Sequence, residues 1–450
     1  MQNVAEIERL AALVRIPTVS QASGGLPEDF DRLLATMADQ WPRVHELEVT
    51  RVGGHGLLIH WPGVSSVRPV VLMAHLDVVP VVASEWARDP YSGDVIDDEL
   101  WGRGTLDDKG CVAGVCEAVE SLLADGFVPA YDVWLSFGCD EETTGAAARA
   151  AVALLRERGV TPWMVIDEGG AIAHEALPGL SAPIGVVGVS EKGTTSVRLS
   201  VTSEGGHAST PVAGGPAARL AAALVAVDRV SMPAHLHPVT VELFRRASPH
   251  LGGPLRAVAG VLGRLGEGPR WNRVRSGAAR ALTLAGPEAA ALVRTTVALT
   301  TLEGSKAINV LPSRVRAGIN LRVMVGDTVD SVVARLRRAI DDDSVEIEVV
   351  DANEASPVSP WDGDPTFALL ERVISEIYPD AVPAPYVMLA ATDSRFFTAI
   401  CDRVYRFAPF RMTRTQRASI HAADERIGVT DYLDGVRWYR RFIERLGEIA

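Results

Sequence analysis

Largely apolar segments, bounded by turn signals, occur at residues 70–74, 132–137 and 163–166. Runs of that length without polar alternation read as strands buried on both faces. Between them, residues 110–125 and 144–158 carry apolar side chains at helical spacing. Strands alternating with helices predict a sheet whose crossovers join parallel strands and cover its faces. Upstream, the pattern predicts helices over 3–15 and 27–40, the first ended by Ile16-Pro17, then a hairpin of 49–52 and 56–60 through Gly53 and Gly54.

The pattern changes at Glu191-Lys192-Gly193. Residues 194–202, TTSVRLSVT, alternate as a strand with one wet face does, and predicted strands at 292–299, 314–323 and 345–350 accompany helices at 217–227 and 328–340. This is the order of a separate α+β unit inserted into the first. Residues 231–290, rich in glycine, proline and basic side chains, contain short apolar helices that the pattern does not place. From about residue 356 the first unit resumes, with helices at 366–378 and 430–449 and strands at 386–389 and 404–407. The predicted division is therefore 1–192, 193–355 and 356–450.

Charge narrows the classes. With 44 basic and 57 acidic residues the chain carries −13, which argues against a general nucleic-acid surface. There is no signal-peptide pattern at the N-terminus and no apolar stretch of about 20 residues, so a cytoplasmic protein without stable membrane insertion is expected. Cys111, Cys116, Cys139 and Cys401 are too scattered for a disulfide framework and fit reduced, buried thiols.

The chemistry lies where the strands end. His75 and Asp77 close the first run, Asp140, Glu141 and Glu142 the second, and Asp167 and Glu168 the third, while a loop at 102–110 delivers Asp107 and Asp108. Successive strand ends of this kind define a crevice at the carboxyl edge of a sheet. Imidazole with carboxylate is the donor mixture of hydrolytic metals, and a carboxylate outside the ligand set can serve as base. His75, Asp107, Glu142, Glu168 and His421 suffice for two metals if Asp107 bridges. No GxxxxGK[ST] cradle supports phosphoryl chemistry.

HLDVVP at 75–80, GRGTLDDKG at 102–110, DEET at 140–143, DEGG at 167–170, GGHAST at 205–210 and IHAADE at 420–425 resemble the M20 metallopeptidase family, nearest its carboxypeptidase S and aminoacylase-like branch. The resemblance spans nearly the whole chain and is weakest in the middle of the insert. It implies a zinc-peptidase-like α/β catalytic domain with a mainly parallel central sheet, interrupted by an α+β lid or dimerisation domain. It also implies two zinc ions, with cobalt or manganese able to replace them, held by His75, Asp107, Glu142, Glu168 and His421. Asp77 would orient His75, the Asp107–Asp108 peptide would be cis, and Glu141 would be the general base. His207 would donate to the developing oxyanion, in some relatives across a homodimer. Asn309, Arg322 and Arg395 would face an N-acyl amino acid or short peptide with a free carboxylate. Ala390, Ala391 and Ala418 depart from glycines common in the family, which bears on substrate shape rather than on the ligands.

Overall fold

The computed structural model describes residues 2–20, 26–176, 179–266 and 268–449. Its larger sheet is mixed and runs in the order Glu48–Val52, Gly56–Trp61, Tyr131–Gly138, Ser65–His75, Met164–Asp167, Val404–Arg406, Ile184–Glu191, Ala171–Ala173, Arg411–Met412, with Val382–Met388 also paired to Ile184–Glu191. The centre is parallel: Ser65–His75 lies between Tyr131–Gly138 and Met164–Asp167, with Leu72 opposite both Leu135 and Ile166. That shared register brings the carboxyl ends of three strands to one edge.

Both faces of the central strand are covered. Val70, Leu72 and Ala74 pack into the core built with the helices Gln2–Val14, Lys109–Ala124 and Val429–Glu444. Val71 and Met73 point the other way, into a second core with Ala148, Ala151 and Leu155 of the helix Ala146–Glu157. A strand buried on both sides has no use for polar alternation, hence its continuous apolar run. The strand Ile184–Glu191, parallel to Val382–Met388 and antiparallel to Ala171–Ala173, escapes that pattern because glycines at 185 and 188 interrupt it, Gly188 lying against the side chain of Arg406. Gly170 is a close approach of another kind: a Cβ there would sit 2.1 Å from the Val186 carbonyl oxygen.

The inserted sheet is antiparallel, ordered Thr296–Glu303, Arg314–Val323, Gly193–Thr202, Glu346–Asp351. Val197, Leu199 and Val201 and the alternate residues Val315, Ala317, Ile319 and Leu321 form a core under the helices Pro216–Arg229 and Val329–Ile340. The expected strand at 292–299 is displaced to Thr296–Glu303, because Pro287–Ala291 is helical and Val293 is buried in a different core. That core belongs to the segment left unplaced by the sequence. Its helices Pro238–Ala247, Gly253–Leu262 and Pro269–Thr283 pack around Leu243, Phe244 and Leu262 against Ile184 and Ala384, on two paired strands of the larger sheet. Arg246 reinforces the join by donating to the Pro383 carbonyl at 2.9 Å. All four cysteines are buried free thiols.

Candidate metal centre

Each acidic cluster divides its labour according to backbone geometry. In the turn after Tyr131–Gly138, Asp140 accepts from the amides of Ala146 and Ala147 at 2.7 and 2.9 Å, so it is spent on starting the next helix. Asp167 accepts from the Ser394 amide at 2.9 Å and ties down the loop carrying Arg395. Their neighbours Glu141, Glu142 and Glu168 turn into the crevice.

There, the donor atoms converge. His75 Nε2 lies 2.8 Å from one oxygen of Asp107, and His421 Nε2 lies 2.9 Å from the other. His421 Nε2 is also 3.0 Å from Glu142, and Glu168 approaches His75 Nε2 to 3.7 Å. Ligand atoms come within 4.8 Å of one another in three sets: His75–Asp108–Glu168, His75–Glu141–Glu142 and Asp107–Glu142–His421. One carboxylate spanning two imidazoles is the arrangement that a bridging ligand requires. The peptide between Asp107 and Asp108 is cis. Asp77 sits beneath the group: its carbonyl oxygen is 3.0 Å and its carboxylate 3.4 Å from His75 Nδ1, and its two carboxylate oxygens accept from the amides of Glu141 and Glu142. It thus orients the first imidazole and the glutamate pair together.

Burial governs the electrostatics. It pushes the carboxyls of Glu141, Glu168 and Asp108 well above the ordinary carboxylate range, and repulsion from neighbouring carboxylates, Asp107 among them, adds to this. Asp107 is buried too, yet hydrogen bonds from His421 and His75 outweigh burial and hold it low. His421, hydrogen-bonded to Asp107 and Glu142, is raised to about 10. Several carboxyls crowded out of water call for cationic charge between them.

Two buried carboxylates outside the expected set complete the picture. Glu425, fully buried, accepts from the amides of Gly104, Leu106 and Asp107 at 3.0, 2.8 and 3.2 Å and pairs with Arg103. It shapes the loop that presents Asp107, while nearby His421 and Asp424 both adopt φ of 61°, in the left-handed region. Its place in IHAADE, four residues after the last ligand candidate, was the available signal. Asp393 is buried with neither carboxylate oxygen hydrogen-bonded, 3.8 Å from Arg395; burial raises it to about 7.

The remaining expected residues divide into two groups. Arg395 donates to the Thr392 carbonyl at 2.7 Å and lies 4.0 Å from Glu141, at the crevice. Arg322, on the inserted sheet, donates to Thr194 at 2.7 Å and is within electrostatic reach of Glu141, Glu191 and Arg395. His207 and Asn309 are brought to each other instead: Gly206–His207 pairs with Val310–Leu311, and the Asn309 carbonyl accepts from the Ala208 amide. Both are exposed, His207 holding Ser209 at 2.7 Å, and no described contact joins either to the carboxylate cluster of the same chain.

The family model for peptidase family M20/M25/M40 matches residues 71–445, a span that includes every ligand candidate above. The chain belongs to that family. This M20 chain is 32% identical to the probable carboxypeptidase S-like 2 of Dictyostelium discoideum, across 98% of this chain and 85% of that protein. It is 31% identical to the Danio rerio N-fatty-acyl-amino acid synthase/hydrolase PM20D1.1, over 97% and 85%. The human carnosine dipeptidase 1 structure superposes with a TM-score of 0.72 at 18% identity, covering 98% of this chain and 96% of that one, and so shares the fold. Family and side-chain cluster together make this M20 protein a metal-dependent hydrolase.

The donor set fits divalent metal, since imidazoles and carboxylates share the hard-to-borderline character such ions favour. Ligation needs neutral imidazole, whereas in metal-free protein Asp107 and Glu142 keep His421 protonated up to about pH 10. Metal loading of this M20 enzyme at neutral pH is therefore expected to release protons, and apparent affinity to rise with pH toward about 10. Titration calorimetry in buffers of different ionisation enthalpy checks this; a binding enthalpy independent of buffer would contradict it.

Proposed function

We propose that the chain hydrolyses the amide bond of N-acyl amino acids or short peptides that carry a free carboxylate. The observation that carries the proposal is the convergence of His75, Asp107, Glu142, Glu168 and His421 beside half-buried Glu141. Those five residues are proposed to hold two zinc ions, with cobalt or manganese as substitutes. When bound, the ions acidify water and polarise the scissile carbonyl.

Glu141, a carboxyl whose proton affinity is raised by burial, takes the proton from attacking water and returns it to the leaving amine. Asp77 holds Glu141 and Glu142 by their amides while fixing His75. Arg322 and Arg395, whose charges lie near Glu141, are suited to receive the substrate carboxylate. The exposed pairing of His207 with Asn309 suits delivery of an oxyanion donor to a second protomer's crevice, in a homodimer. The fatty-acyl relatives support the acyl class.

Amine release across a panel of N-acetyl and long-chain N-acyl amino acids and dipeptides tests the reading. Release from acyl substrates is expected; cleavage of dipeptides alone would reassign the enzyme as a dipeptidase. Within the panel, Arg322→Ala is expected to raise KM for free-carboxylate substrates roughly 10- to 100-fold, the worth of a hydrogen bond to a charged group. Substrate methyl esters should be nearly indifferent to the change, and an equal loss on both would remove Arg322 from carboxylate recognition.

A further inference from the structure

The helical segment that packs against Ile184 and Ala384 of the larger sheet inverts the charge of the chain. Residues 251–286 contain six arginines and a single acidic residue, Glu267, in a protein of net −13. Just upstream, Arg245 and Arg246 are neutralised by a carboxylate, both binding Glu242. Among the described residues, Arg256, Arg264, Arg273 and Arg280 are exposed and have no carboxylate partner.

Aliphatic side chains stand beside them. The helix Gly253–Leu262, sequence GPLRAVAGVL, is strongly apolar, yet only Ala259 and Leu262 are buried. Leu255, Val258 and Val261 are 44–60% exposed, and around the next helix Val274 is 48% and Leu284 88% exposed. Helices of ten and fifteen residues are too short to cross a bilayer, and no helix among the described residues is long and apolar enough to do so. Short helices with exposed leucine and valine flanked by unpaired arginine have the composition of an element that lies in a lipid interface, the aliphatics entering the acyl boundary and the guanidiniums meeting anionic headgroups. A protein-docking patch would be expected to offer aromatic anchors in a recess; the large apolar groups exposed here are only leucine and valine.

We propose that this segment is an interfacial docking surface that holds the enzyme on anionic bilayers. It does not depend on the substrate assignment, and its test does not use turnover. Vesicles of phosphatidylcholine with about 30% phosphatidylglycerol, against pure phosphatidylcholine, are mixed with the full metal-loaded chain and sedimented at low salt. Binding to the anionic vesicles alone, largely lost by about 0.5 M salt, is expected. Arg256→Glu with Arg264→Glu should weaken that binding on the order of tenfold or more, and Leu255→Ser with Val258→Ser should weaken it by a similar factor through lost apolar burial.

All four positions are exposed, so folding and hydrolysis of a short soluble substrate should be unchanged. Absence of wild-type binding, equal binding to both vesicle types, or variants that bind like wild type would each overturn the proposal. So would a change from dimer to monomer in the Leu255/Val258 variant, because a second copy would then be what covers this face.

Discussion

Glu141→Gln is expected to lower kcat by roughly 10²- to 10⁴-fold, the range that a positioned general base contributes, with metal content unchanged. The amide keeps the size of the side chain and removes only its capacity to take a proton. Two features make Glu141 the sensitive position. Its amide is fixed by Asp77 at 3.2 Å, so the turn holds without help from the side chain, and the carboxyl is largely shielded, with Arg395 4.0 Å away. Amine release measured beside metal analysis separates the roles. If zinc is lost along with activity, Glu141 acts as a ligand and the base must be sought elsewhere.

Glu425→Ala should destabilise the catalytic unit by about 3–5 kcal/mol, because it strands the buried Arg103 guanidinium. The loss compounds: three loop amides give up their acceptor, and Asp107 is one of the residues so held. Metal affinity should therefore fall although Glu425 is not proposed as a ligand. Urea unfolding of chelated protein, followed by metal titration, reads the two effects separately. Adding Arg103→Met should recover part of the stability, by removing the orphaned charge, without restoring metal affinity. A stable Glu425→Ala with normal metal binding would mean that the loop holds its shape unaided.

Wherever hydrophobic burial alone decides the structure, the sequence was legible. Residues 69–75, 133–138 and 164–167 are buried on both faces and stand out as largely apolar stretches, and TTSVRLSVT alternates because one face of its sheet is covered by helices. The segment 231–290 resisted because the helices Gly253–Leu262 and Pro269–Thr283 begin at Gly-Pro steps and bury few residues, and because their core takes its partners, Ile184 and Ala384, from distant parts of the chain. Within the site, strand ends pointed to His75, Glu141, Glu142 and Glu168 as candidates. The work of Asp140 as a helix cap and of Asp167 as a loop tether could not be seen without knowing which amides face them. Glu425 was hidden for the same reason, since its partners lie more than three hundred residues earlier.

The order of strands in the larger sheet carries a consequence for how the protein is made. Val404–Arg406 lies between Met164–Asp167 and Ile184–Glu191, and His421 meets Asp107 from still further along. The first two hundred residues alone therefore carry a sheet with a gap at its middle and four of the five proposed metal ligands. With His421 as a ligand, as proposed, the centre would assemble only after residue 421 has left the exit tunnel, and the nascent chain would be inactive throughout most of its own synthesis.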